Sequence, residues 1–451
     1  MTAIKYSALA IAALATATTA NTAQAWSLEE AAKPYEGTTI TVVGLERPSY
    51  DAAQRLTSQF EKKTGINVEW TTFPYESSLK AQTLNFVSRS QQFDLILTDV
   101  VWPVTFVESG WVQPLSHFTN DEELVNPDLD LDDFVDIWRA AFSVDGELYG
   151  LPFDSYSGLL YYNKKMLKEA GFDGPPETWA ELKDVYGPKL TDRDAGQYAF
   201  ALQSAKGETQ TADSFTRMLW PFGARYFDAD AEEMTLTSDA AKRGIQYRED
   251  LAQYMPDGIV ADNHSQVVQA MGQGRVAMIT EWSAFYTTLK DSKIGDDLGI
   301  AVEPKGPDGR YSAFGGFAYM VSAQVPEARQ DAGWLFAQWL TSKRMARPLI
   351  REGAVVARES ANSDPEIQEE FPYLEPMLET WKTSSVPDWR PQLRCYPKFS
   401  ELVSDWGTRI QLGDVSVDEG LQGMDKRLQR YMDQTDCWDT VNQPRKYMDA
   451  M

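Results

Sequence analysis

The feature that most constrains this chain is a strict alternation of strand-like and helix-like segments between residues 38 and 98. Residues 38–44 form a β-branched run, and residues 50–64 place Ala53, Leu56 and Phe60 on one helical face before Gly65. Residues 66–73 read as a second strand. Ser77 is expected to cap a helix whose Leu79, Thr83, Phe86 and Val87 share a face, and residues 93–98 are expected to form a short buried strand. A βαβαβ order requires a parallel sheet with right-handed crossovers, so the fold class is α/β. In such sheets ligands meet the loops at the carboxyl ends of strands, which directs attention to residues 45–49 and 98–103.

Residues 155–297 follow as a block that reads as mostly helical. A strand-like stretch at 298–302 and another at 315–321 lead into a helix with Ala332, Leu335, Phe336 and Trp339 on one stripe. Trp334 and Trp339 are expected in the core. The last hundred residues read as helical between proline-rich breaks near 386–391.

Residues 1–25 have the form of a secretory signal. Lys5 precedes an apolar stretch of roughly ten residues, and Ala23 and Ala25 occupy the small-residue positions before Trp26. A membrane-spanning helix would need about 20. No cysteine follows the expected cleavage point, so export without a lipid anchor, to the periplasm, is predicted. The chain has two cysteines, Cys395 and Cys437, which in an oxidising compartment are more often bridged than free.

Composition narrows the partners. With 42 Lys and Arg against 67 Asp and Glu, the net charge is −25. A phosphate backbone would be repelled, and no basic run exceeds two residues, so nucleic acid is not an expected partner. With those two cysteines expected to be bridged, His117 and His264 fall short of the usual ligand count of a Cys/His metal site. The acids at 128–133 lack the glycine and terminal glutamate of a calcium loop and read as a solvated turn. No cofactor motif is present: there is no phosphate-binding glycine loop and no nucleophile elbow.

Several stretches in order resemble the extracellular solute-binding proteins of ABC importers, in particular the carbohydrate-binding family related to maltose-binding protein. They are FEKKTGINV at 60–68, FDLILTD at 93–99, GWVQPL at 110–115, GELYGLPF at 146–153 with LLYYNK at 159–164, GRVAMI at 274–279, and Gly315-Gly316 with AGWLFAQWLT at 332–341. The resemblance implies a two-lobed, type II-like periplasmic-binding fold with a ligand cleft between discontinuous lobes. By position, residues 26–150 with 299–343 would form one lobe and 151–298 with 344–451 the other. It further implies a monomer that captures a small-molecule sugar or polyol and hands it to the membrane permease of an importer.

Sugar recognition combines aromatic faces against C–H surfaces with charged hydrogen-bond partners for hydroxyls. Candidates stand where the strands are expected to end. Glu46 and Arg47 follow the first strand, Asp99 and Trp102 the third, and Asp154 and Tyr156 a strand expected at 148–153. Trp220, Glu281, Trp282, Gly316, Trp389 and Arg390 complete the set. A cationic ligand such as a polyamine would suit the same acids and aromatics, and a glycosidase would need a carboxylate pair such as Asp99 with Asp154. An acidic sugar would require Arg47, Arg390 or Arg358 to converge.

Overall fold

The chain was analysed as a computed structural model that describes residues 26–442 and Pro444. The expected signal peptide, 1–25, lies outside the described residues. The opening alternation folds as β1 (Thr39–Leu45), α1 (Pro48–Thr64), β2 (Asn67–Phe73), α2 (Tyr75–Ser88) and β3 (Leu95–Asp99). Pro48 opens α1 two residues before the expected start, because proline fits a first turn whose N–H groups have no intrahelical acceptor. Gly65 ends it in the left-handed conformation, φ 68°, and donates its N–H to Glu61 O. α2 begins at Tyr75 behind Pro74, so Ser77 lies in its first turn and is not the cap.

The chain continues through β4 (Leu151–Asn163), β5 (Tyr198–Ala201), α3 (Asp213–Leu219), α4 (His264–Gly272), β6 (Val276–Trp282), β7 (Leu298–Ala301) and β8 (Phe314–Val321). The eight strands form one sheet in the order β2-β1-β3-β8-β4-β6-β5, with β7 also paired to β4. β1 runs parallel to β2 and β3, whereas β8 is antiparallel to β3 and to the first part of β4, from Tyr319 opposite Leu151 to Phe314 opposite Ser157. The second part of β4 pairs antiparallel with β6, from Gly158 to Tyr162, and with β7, from Leu160 to Asn163. One 13-residue strand therefore belongs to both halves of the sheet, and these halves are the two lobes of the molecule.

The block expected to be mostly helical carries three strands of the main sheet, β4, β5 and β6. Their sequences are buried continuously, and a continuous apolar run does not distinguish a buried strand from a buried helix. The lobes also divide differently from the expected boundaries. The change of half falls inside β4 and not before it, and β7 pairs with the second half. Residues 343–360 pack against the first half, where Arg55 Nε meets Glu352 Oε2 at 2.7 Å and Arg358 donates to Leu129 O at 2.8 Å.

The core of the first lobe rests on α5 (Glu327–Leu340), which is buried on every side from Gln330 to Leu340. Trp334 stacks on Phe118 with centroids 5.1 Å apart, and Phe336 meets Phe60 edge-on at 5.0 Å. Trp334 and Trp339 are both core residues. At the other end, α6 (Tyr396–Gln411) and α7 (Val417–Gln434) cover the second lobe, with α7 accepting the Leu236 N–H at Asp425 and the Met234 N–H at Gln429. Among the described residues no helix is long and apolar enough to cross a membrane.

Cys395, just before α6, is bridged to Cys437, just after α7, with Cα atoms 6.1 Å apart. The bond closes a loop of sequence separation 42 around the helix pair. Replacing both cysteines by serine is expected to lower the unfolding free energy by about 2–4 kcal/mol. The measurement is the urea midpoint, which reductant should lower in the native chain and leave unmoved in the double variant.

Candidate functional site

A cavity of about 260 Å³ opens between the lobes at the ends of the central strands. The first lobe contributes Arg47 and Pro48 after β1, Tyr75 at the start of α2, Asp99 at the end of β3, and Gly315 to Phe317 on β8. Thr209, His264 at the start of α4, Trp282 at the end of β6, and Phe285 enter from the second. Tyr156 comes from β4 itself, and Arg390 from the segment before α6.

Asp99 is the anchor of the polar wall. Its Oδ1 receives Arg390 Nη2 at 2.8 Å and its Oδ2 lies 3.0 Å from the Tyr75 hydroxyl. The same hydroxyl is 3.1 Å from Glu208 Oε1 on the opposite lobe, and Arg390 Nη1 is 3.6 Å from that oxygen. One hydroxyl proton cannot serve two carboxylates, so this arrangement favours a proton on Glu208. Burial pushes the Glu208 carboxyl up to about 7, with Arg390 acting against it. Asp213, wholly buried at the start of α3, is raised to about 6 by the same cause.

On the facing wall, His264 Nδ1 is 2.8 Å from Glu281 Oε2 and its Nε2 is 2.6 Å from Thr209 O. Two acceptors hold the ring as an imidazolium. Burial alone would pull its pKa down, but the Glu281 carboxylate outweighs that and the net direction is up. Asn263 explains why His264 stands here: its side chain accepts the Gln266 N–H in a capping box that starts α4.

Six of the residues expected from sequence border the cavity: Arg47, Asp99, Tyr156, Trp282, Gly316 and Arg390. The others do not, for identifiable reasons. Glu46 is exposed at the end of β1. Trp102 is buried behind Tyr75 and stacks on it at 5.6 Å. The strand expected to stop at 153 continues through Asp154, which is fully buried and accepts from Ser49 at 2.5 Å and from Tyr156. Burial raises that carboxyl to about 6.

Glu281 lies within β6, fully buried, and reaches the cavity only through His264. Trp389 is fully buried and backs Trp282 edge-on at 6.2 Å, and its carbonyl accepts Trp220 Nε1 at 3.3 Å. Trp220 is thereby drawn into the core beyond the end of α3. Gly316 borders the cavity for a different reason from the one expected. A Cβ there would stand 2.5 Å from Asp154 O and 2.7 Å from the Trp138 ring, so the missing side chain serves strand packing.

Tyr75, Thr209, His264, Phe285 and Phe317 are cavity residues not singled out in the sequence. Tyr75 follows β2 and could have been found by extending the carboxyl-end rule to the second strand. Among the described residues no group of three His, Cys, Asp or Glu side chains is placed to hold a metal ion.

A cavity between two lobes, with polar and aromatic walls from each, is the geometry of a cleft-type binding protein. Residues 44–347 match the bacterial extracellular solute-binding protein family, and the chain belongs to it. A mannitol-binding protein of Pseudomonas aeruginosa is 25% identical over 70% of this chain and 72% of its own. A probable amino-acid ABC transporter periplasmic-binding protein of Sinorhizobium fredii is 27% identical over 75% and 77%. Among solved structures, a solute-binding protein from Agrobacterium radiobacter in complex with ribitol superposes with a TM-score of 0.79 at 23% identity, covering 88% of this chain and all of that one.

The raised carboxyls have a consequence for stability. Glu208, Asp213 and Asp154 hold protons more tightly folded than unfolded, so the stability that they contribute is present at low pH and is lost as pH rises through about 6 to 7. Unfolding free energy from urea titration is expected to be higher near pH 5 than near pH 8. Glu208→Gln should flatten the dependence.

Proposed function

We propose that this protein captures one sugar or polyol of single-ring size and delivers it to the permease of an ABC importer. The observation that carries the reading is a cavity of about 260 Å³ lined by the rings of Trp282, Phe285 and Phe317 and by Asp99, Arg390 and His264, drawn from both lobes. Apolar rings suit the C–H surface of a polyol and the charged groups suit its hydroxyls. Drug-sized ligands occupy roughly 300–1,000 Å³, so this cavity suits a monomeric solute better than an oligosaccharide. The mannitol and ribitol named for the relatives are of that size.

A cationic ligand is disfavoured by Arg47, Arg390 and His264 on the cavity wall. A glycosidase would need two carboxylates flanking a bond. Among the described residues bordering the cavity, Asp99 is the one carboxylate, and it is held by Arg390 and Tyr75. We therefore read the chain as a receptor and not an enzyme, acting as a monomer. Residues 1–25 would direct it to the periplasm, an oxidising compartment consistent with its disulfide.

Calorimetry and thermal shift against pentitols, hexitols, monosaccharides, disaccharides and polyamines test the reading. A bound solute should raise stability by RT ln(1 + [L]/Kd) with one class. Trp282→Ala should weaken that ligand by about 10- to 100-fold, through loss of one stacking face. No response to any sugar or polyol, charged or neutral, would sink the proposal.

A further inference from the structure

We infer that the solute carries a carboxylate, so that the ligand class is a sugar acid and not a neutral polyol. The inference rests on the receptor reading above and concerns the same cavity. Its first support is Arg47. The guanidinium lies 5.5 Å from the Tyr75 ring centroid, 5.9 Å from Tyr156 and 5.3 Å from Phe317. It makes no ion pair within 4.0 Å among the described residues; the Tyr156 hydroxyl is its hydrogen-bonding neighbour, and the Asp154 carboxylate acts on it through charge alone. Ring faces stabilise a cation without accepting in-plane N–H bonds, so the guanidinium fork stays available. A fork of parallel N–H groups matches a carboxylate in two-point contact.

Arg390 adds to this, since its Nε is buried without a hydrogen-bond partner while the residue borders the same cavity. Gly315 allows that approach: a Cβ there would stand 3.0 Å from Arg390 Nη2 and 3.1 Å from the Trp282 ring. The third support is the backbone. α1, α2 and α4 all start at the cavity, at Pro48, Tyr75 and His264, and each helix N-terminus carries a partial positive charge.

The acids nearby are each engaged by protein groups and turn no free oxygen pair on the Arg47 fork. Asp99 is occupied by Arg390, Tyr75 and the Val101 N–H, Asp154 by Ser49 and Tyr156, and Glu281 by His264. Arg358 takes no part, since it is buried in the first lobe on the carbonyls of Leu129, Asp130 and Thr341. A neutral polyol would leave the Arg47 fork facing hydroxyls, whereas a carboxylate would complete it.

The test is calorimetry of the exported, disulfide-bonded protein with matched pairs that differ in one group: D-gluconate against D-glucitol, D-galactonate against galactitol, and D-glucuronate against D-glucose. At least one acid is expected to bind about tenfold or more tightly than its neutral partner, and to weaken between roughly 20 and 500 mM salt. Arg47→Gln should abolish that preference by weakening the acid far more than its neutral partner, and Arg47→Lys should retain part of it. If the Gln variant does not fold, the matched pairs decide on the native chain alone. Neutral solutes binding as tightly as every acid would overturn the inference and leave the sugar-receptor reading standing. Glucitol 6-phosphate binding more tightly than any carboxylate would overturn the carboxylate assignment, and silence from all of these would overturn both readings.

Discussion

The antiparallel ladders on β4 hold the site together, because its first residues are hydrogen-bonded to β8 in one lobe and its last to β6 and β7 in the other. A strand cannot shift register by one residue without turning every side chain to the opposite face. Burial along almost its whole length rules out such slippage. The cavity walls are then placed by what leaves this frame: β8 brings Gly315 to Phe317, β6 ends at Trp282, and Tyr156 rises from β4 itself. Hinge motion in such a molecule bends a shared strand and its neighbours and need not separate two independent bodies.

A second layer keeps the first in position. Trp102 stands behind Tyr75, Trp389 behind Trp282, and Asp154 beneath Tyr156. Each supporting residue is buried and fixes the rotamer of a residue that meets the cavity. Buried polar groups need partners, and for the Asp154 carboxylate one of them is the Tyr156 hydroxyl of the cavity wall. The linkage between Asp99, Arg390, Tyr75 and Glu208 also joins the lobes without a ligand, so a solute would enter a network already partly assembled.

The fold was legible where patterns were periodic. The opening βαβαβ unit and the α5 stripe follow from spacing, and six cavity residues follow from the rule that ligands meet strand ends. Errors arose where a strand ran further than its apolar signature. Asp154 and Glu281 read as polar residues just beyond a strand, yet both lie inside one, because a buried acid with hydroxyl or imidazole partners does not end a ladder. Trp220 and Trp389 lie in the buried layer behind the cavity wall. Which side of a tryptophan faces solute depends on contacts distant in sequence, such as the bond from Trp220 Nε1 to Trp389 O. His264 follows no expected strand end and so carried no such signal; it is placed by its neighbour Asn263, a helix cap.

The bridge between Cys395 and Cys437 reaches further than the helices it clamps. Arg390 lies five residues before Cys395, and its segment is tied down by the Arg394 N–H on Thr440 Oγ1 and by the pairing of Gln392 with Asn442. Those tethers stand beside Cys437. The electron supply of the surroundings is thus coupled to the posture of a residue that borders the solute. A chain retained among cytoplasmic thiols would hold Arg390 on loosened moorings, and the same chain after export would hold it fast. Competence to bind would then be acquired together with location.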